Sequence, residues 1–135
     1  MLYVDLPTAT EIGNLDLVRS DACVSIYLAT TPLTQEIGQS RTRLTQLVDQ
    51  AVRQLEAKGL DKRRIWPLQE HFETVLEDDD FWAHQARSLV ILATPTQLRT
   101  YRLASDLVEM VMVSDRFHLK PLLRAITFPN ACHVL

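Results

Sequence analysis

The fold is decided by residues 22–29, ACVSIYLA. This segment is rich in β-branched and aromatic residues and carries no charge, which is typical of a β-strand. Its residues do not alternate between apolar and polar, so both of its faces should be covered, as in the interior of a layered sheet. We therefore predict that residues 22–29 form the central strand and that the other elements pack around it.

The clearest helix follows this strand, over residues 40–58. Its apolar residues recur at steps of 3, 4, 7 and 11 from the first, which places them on one helix face. Gly59 would end the helix, because glycine adopts the left-handed conformation that helix stops favour. We predict that this face packs on the sheet through Leu44, Leu47, Val48, Ala51 and Leu55.

Two further helices are predicted on either side of these segments. Before the strand, Thr8 or Thr10 would cap a short helix with one apolar face, formed by Ile12, Leu15 and Val18. After residue 59, a second long helix should begin near Pro67, because proline disrupts a helix interior but is tolerated in the first turn. Its inward-facing residues would be Leu68, Phe72, Val75 and Leu76.

The second half of the chain is rich in strands. Three apolar runs are separated by Pro, Thr, Ser or Asp: residues 89–93, 98–103 and 107–113. Their short linkers favour an antiparallel meander. Pro121 would open a short helix over residues 119–126, residues 128–130 would turn the chain, and residues 131–135 begin another apolar run, as a strand cut at a domain boundary would. The prediction is a single α+β domain, with helices packed on a central, mostly antiparallel sheet.

Composition limits the classes of function. The 135 residues are 47% hydrophobic and 23% charged, with a formal net charge of -3. The whole domain therefore has no basic field that would attract nucleic acid, and an RNA contact would need a local patch. The sequence shows neither a secretion signal nor a membrane span, so we expect a cytoplasmic protein with no membrane partner. Cys23 and Cys132 lie in apolar runs and are expected to be free, buried thiols.

Sequence signatures of catalysis are absent. The chain contains no GxSxG, P-loop, GxGxxG or HExxH motif. The four histidines have no metal-ligand spacing: His71, His84, His118 and His133. Four side chains would be nucleophiles only if folding placed a base beside them: Cys23, Ser25, Thr30 and Thr31. We expect no catalytic residue and no cofactor.

The acidic run Asp78-Asp79-Asp80 has two interpretations. Clustered carboxylates suit hard cations, but three acids before Phe81 and Trp82 also form a helix N-cap with favourable dipole charges. No further ligand follows at the spacing of a calcium loop. The missing ligand favours the N-cap, and no metal site is expected.

Basic residues cluster locally in four places: Arg41 with Arg43, Lys62-Arg63-Arg64, Arg99 with Arg102, and Lys120 with Arg124. Arg41 and Arg43 are predicted at the start of the long helix, where positive charge opposes the helix dipole, so anion binding is a better reason for them than stability. Lys120 and Arg124 are four residues apart and would share a helix face, with His118 as a further donor. The alternative for each cluster is an ordinary solvated surface.

Four segments follow one another along the chain: VSIYLAT at residues 24–30, FWAHQ at 81–85, YRL at 101–103 and RFHLKPLL at 116–123. In order and spacing they resemble the N-terminal domain of the bacterial archaeo-eukaryotic release factor family. The resemblance covers nearly the whole chain, and RFHLKPLL is its most specific part. It implies that two further domains follow this one, and that the protein works at the ribosome.

The same resemblance implies a contact role rather than a catalytic one. Release factors hydrolyse peptidyl-tRNA with a Gly-Gly-Gln loop in a following domain, whereas here Gly38-Gln39 is preceded by Ile37. The Asn-Ile-Lys-Ser segment that reads stop codons is also absent. We expect a non-catalytic module that contacts the ribosome or tRNA in translation termination, ribosome rescue or hibernation, through Arg41, Arg43, His118, Lys120 and Arg124.

A second interpretation makes the domain a protein-binding or self-associating module. Its surface would be an apolar patch around Phe81 and Trp82. Phosphate contacts depend steeply on salt and apolar contacts do not, so a salt titration of binding would separate the two interpretations.

Overall fold

The structure, a computed structural model, describes residues 4–126. Within them the chain forms five α-helices and one four-stranded antiparallel sheet, which confirms the predicted single α+β domain. The turn predicted at residues 128–130, the apolar run at 131–135, Cys132 and His133 lie outside the described residues.

Three α-helices lie between the first strand and the next, and the other three strands then follow one another. The order is α1 (Ala9–Leu17), β1 (Cys23–Ala29), α2 (Ile37–Ala57), α3 (Lys62–Glu77), α4 (Asp79–Ala83), β2 (Ser88–Thr94), β3 (Gln97–Leu103), β4 (Met110–Ser114) and α5 (Lys120–Ala125). Among the helices of residues 4–126, none has the length and apolar character needed to cross a membrane.

The strand β1 is central, as predicted. The strand order is β3-β2-β1-β4, and Ile26 of β1 lies opposite Ile91 of β2 and Val111 of β4. The meander prediction is correct for the β2–β3 hairpin and wrong for β4, which pairs with β1 instead of β3. Pairing with β4 gives β1 a hydrogen-bonding partner on its second edge and buries Val113 in the core. A meander would instead leave the apolar β1 at the edge of the sheet.

Helices cover both faces of the sheet. One face, with Val24, Ile26 and Leu28 of β1, packs against α2 and α3. The opposite face, with Cys23 and Tyr27, packs against α1 and the segment around α5. Successive strand residues point to opposite faces, and on β1 both sets are mostly buried and mostly apolar. This explains why residues 22–29 lack an alternating pattern.

The predicted apolar stripe of the long helix is confirmed. All five of its residues are buried: Leu44, Leu47, Val48, Ala51 and Leu55. The helix begins at Ile37, three residues earlier than predicted, and ends at Ala57. Gly59 follows it with a φ of 80°, the left-handed conformation that favours glycine.

The predicted start of α3 near Pro67 is wrong, because the helix begins at Lys62 with Asp61 as its N-cap. The Asp61 carboxylate accepts a hydrogen bond from the N–H of Arg63 at 3.1 Å. Pro67 lies inside the helix, where it removes a single main-chain donor. Burial of Ile65 and Leu68 holds the helix to the core on both sides of the proline.

The two N-caps that the sequence predicts are present. Thr8 caps α1, and its side chain accepts a hydrogen bond from the N–H of Glu11 at 3.1 Å. The Asp78 carboxylate accepts from the N–H of Phe81 at 3.0 Å and begins α4. The run Asp78-Asp79-Asp80 therefore has the N-cap role that its sequence favours.

Truncation of the buried stripe should destabilise the domain strongly. Leu55→Ala removes a fully buried side chain, so we expect the free energy of unfolding to fall by about 2–5 kcal/mol. Leu17→Ala is the matched control, because Leu17 is 76% exposed and its loss should change stability by less than about 0.5 kcal/mol. Denaturant unfolding measures both; similar values for the two variants would contradict the packing described here.

Candidate functional site

The segment that leads into α5 is tied to the central strand. Ser25 and Tyr27 lie on the same face of β1, and both bind the main chain of His118. The hydroxyl oxygen of Ser25 accepts from the His118 N–H at 2.9 Å, and the Tyr27 hydroxyl donates to the His118 carbonyl. Burial raises the pKa of the Tyr27 phenol and so favours the protonated form that donates this hydrogen bond.

The helix α5 follows His118, whose main chain is held by Ser25 and Tyr27. Phe117, Leu119 and Leu122 are buried in the core on this face of the sheet. Lys120 and Arg124 are exposed and four residues apart, so they share one side of the helix. Within residues 4–126 neither side chain forms an ion pair.

A groove separates α5 from the segment that precedes β4. Its volume is about 640 Å³. The α5 wall carries His118, Lys120 and Arg124, and the opposite wall carries Leu107, Val108 and Met110. We call this cavity the α5 groove. It brings together three of the five cationic or donor residues predicted from the sequence.

The second wall of the α5 groove is also held by the sheet. The buried hydroxyl of Ser88, at the start of β2, donates to the carbonyl of Ser105 at 2.6 Å and accepts from the N–H of Leu107 at 3.0 Å. Asp106 lies in the same wall, 3.7 Å from the guanidinium of Arg87. A ligand here would meet a cationic side, an apolar side and one acid that is already paired.

Arg41 and Arg43 do not join this site, because α2 covers the opposite face of the sheet. Arg41 Nε donates to the carbonyl of Leu76 at 2.6 Å, and its Nη2 contacts Asp79 at 2.7 Å. Arg43 binds Glu109 through two nitrogens, and its guanidinium holds the pKa of that carboxyl below the usual range.

The predicted position of Arg41 and Arg43 at the start of the long helix is wrong. The helix α2 begins at Ile37, so both arginines lie beyond its first turn. The helix dipole acts mainly within that turn and therefore does not oppose these two charges. Their contacts with Leu76, Asp79 and Glu109 also give both arginines a role in stabilising the fold, which the sequence did not reveal. Neither guanidinium is left without an acidic partner.

Trp82 is buried and cannot contribute to the apolar patch predicted around Phe81 and Trp82. Trp82 is only 1% exposed, and its indole N–H donates to the Val75 carbonyl at 2.9 Å. Phe81 is half-buried, with the guanidinium of Arg102 5.7 Å from its ring centre. The helix α4 turns Trp82 into the core, so only Phe81 offers part of an aromatic surface in this segment.

The candidate nucleophiles all contact main-chain groups. Cys23 and Ser25 are fully buried, and burial raises the pKa of the Cys23 thiol. The Thr30 hydroxyl donates to the carbonyl of Ala86 at 2.9 Å, and the Thr31 hydroxyl accepts from the N–H of Leu33 at 3.1 Å. Within residues 4–126, no group of three His, Cys, Asp or Glu side chains is placed to hold a metal ion.

Comparison with known proteins adds no family assignment. No protein-family model matches the sequence, and no curated protein matches it either.

Arg41 is expected to stabilise the fold rather than to bind a ligand. Arg41→Ala removes one bond to a carbonyl and one to a carboxylate, which link α2 to α3 and α4, so unfolding free energy should fall by about 1.5–3 kcal/mol. Arg53→Ala removes an exposed arginine of α2 that forms no ion pair within residues 4–126, and it should cost less than about 0.5 kcal/mol. Equal losses in thermal or denaturant unfolding would show that these bonds contribute nothing.

Proposed function

We propose that this chain is a non-catalytic binding module that contacts RNA, in the ribosome or tRNA, through the α5 groove. One observation carries the proposal: Lys120 and Arg124 are exposed on one side of α5 with no acidic partner within residues 4–126. Two unpaired cations at this spacing fit neighbouring phosphates.

Helix stability explains these two charges only in part. Arg124 lies in the last turn of α5, where a cation complements the dipole, but Lys120 opens the helix and no acid shares its first turn. A bound anion would offset the unfavourable position of Lys120. The half-buried His118, fixed through its main chain by Ser25 and Tyr27, lines the same groove.

The cellular context comes from the resemblance. RFHLKPLL, its most specific segment, spans the anchored residue His118 and most of α5. A role in translation termination, ribosome rescue or hibernation is consistent with that family. Since this chain has no Gly-Gly-Gln sequence, its part in such a role would be contact with RNA and not peptidyl-tRNA hydrolysis.

Binding of another protein is a second candidate, and the apolar wall of the α5 groove favours it. Val108 is 82% exposed in this wall, beside Leu107 and Met110. An exposed apolar surface next to cations would also fit an apolar segment with acidic flanks. This groove replaces Phe81 and Trp82 as the surface for that alternative.

The two candidates differ in salt dependence. For the Lys120→Ala, Arg124→Ala double variant we expect weaker binding to purified ribosomes or tRNA, and a salt slope reduced by up to about one unit for each lost phosphate contact. The matched control is Arg53→Ala with Arg99→Ala, which removes the same charge from exposed residues of α2 and β3.

Unchanged binding of the Lys120, Arg124 variant at low salt would overturn the RNA proposal, as would an equal loss in the control. Val108→Ser tests the alternative. If it weakens association while leaving the salt slope intact, the groove binds its partner through apolar contact.

A further inference from the structure

Trp66 differs from the other aromatic residues of the domain. Its side chain is 59% exposed, whereas every other aromatic residue within 4–126 is buried or half-buried. Pro67 and the buried Ile65 and Leu68 fix its place on α3. The indole is therefore held in solvent by a helix that is firmly packed on the core.

Two cations share the helix side of Trp66. Lys62 and Arg63 precede it by four and three residues in α3, which are the spacings at which helix side chains are neighbours. Neither forms an ion pair within residues 4–126, whereas the adjacent Arg64 binds Asp21. Both cations lie in the first turn of α3, where the helix dipole opposes positive charge. No acid shares that turn to offset them.

The acid closest in sequence is already engaged. The Asp61 carboxylate caps α3 by accepting from the N–H of Arg63, while the charged Arg63 side chain remains exposed. Around Trp66 the surface is polar, since Arg63 and Glu70 are exposed and Gln69 is partly so. On α3, the residues one turn before and after Trp66 are all polar or charged, which does not suit a hydrophobic protein interface.

We propose that Trp66, Lys62 and Arg63 form a contact site for single-stranded RNA. An unpaired base would stack on the indole, and its flanking phosphates would meet the two cations. A single strand fits because a base within a duplex is already stacked and paired. The charge complementarity is local, since it involves two cations on a domain with a formal net charge of -3.

This site is independent of the α5 groove. The helix α3 packs on one face of the sheet, and the segment around α5 packs on the other. A variant in one site should leave binding at the other intact. Failure of the Trp66 proposal therefore does not affect the RNA role of the α5 groove, and the reverse also holds.

Tryptophan fluorescence can test the site directly. The chain contains two tryptophans, and Trp82 is buried, so quenching by a short oligouridylate reports on Trp66. We expect saturable quenching at low salt. For variants that lack this indole, the affinity is measured by fluorescence anisotropy of a labelled oligouridylate. Trp66→Ala should weaken binding by about 5- to 100-fold, and Trp66→Phe, which keeps a stacking ring, should weaken it less. Circular dichroism checks that both exposed-site variants are folded.

The charges make a separate prediction. Lys62→Ala with Arg63→Ala should weaken oligouridylate binding and lower the salt slope by about 1.4, at about 0.7 for each lost contact to a single strand. The Lys120→Ala, Arg124→Ala variant should keep the full quenching of Trp66. An oligoadenylate–oligouridylate duplex should quench much less than the single strand.

Three results would overturn the proposal. They are no quenching by oligouridylate at low salt, equal quenching by the duplex, and unchanged affinity in Trp66→Ala. Polyglutamate provides a control for charge alone, because it is an anion without bases. Quenching by polyglutamate equal to that by oligouridylate would show that Trp66 senses any polyanion and would also reject base stacking.

Discussion

Burial of β1 on both faces constrains every other element of this domain. The strand has no charge, pairs with β2 on one edge and β4 on the other, and contributes side chains to both halves of the core. One layer of helices therefore has to cover each face. The two polar groups that point from β1 toward α5, on Ser25 and Tyr27, could not remain buried without partners. Both find them on the main chain of His118.

Much of the fold could be predicted because its signals are local. Residues 22–29 lack alternation, and the stripe of α2 follows helical spacing, so both elements are visible in the sequence. The pairing of β4 with β1 depends on competition between strand edges, which no local pattern records. The sequence predicts that α3 starts near Pro67, whereas the helix begins at Lys62. Burial of Ile65 and Leu68 outweighs the loss of one main-chain hydrogen bond at that proline.

The candidate site shows the same difference between local signals, which the sequence reveals, and long-range contacts, which it does not. Lys120 and Arg124 belong to one short helix, so their shared side follows from their spacing. The carbonyl and carboxylate partners of Arg41 and Arg43 lie 35 to 66 residues away, on Leu76, Asp79 and Glu109, and could not be seen from the sequence. The predicted start of α3 near Pro67 also hides the proposed role of Trp66. A helix that begins at Pro67 excludes Trp66 and does not place its side chain beside Lys62 and Arg63.

The α5 groove depends on β1 holding His118, and with it one wall of the groove, as firmly as β1 is held in the sheet. Amide hydrogen exchange tests this directly, because the His118 N–H lies outside any helix and is bonded to the Ser25 hydroxyl. We expect that amide to be protected in the wild-type domain to the same degree as those of β1, and to lose its protection in Ser25→Ala while β1 keeps its own. Rapid exchange at His118 in the wild-type domain would contradict the account.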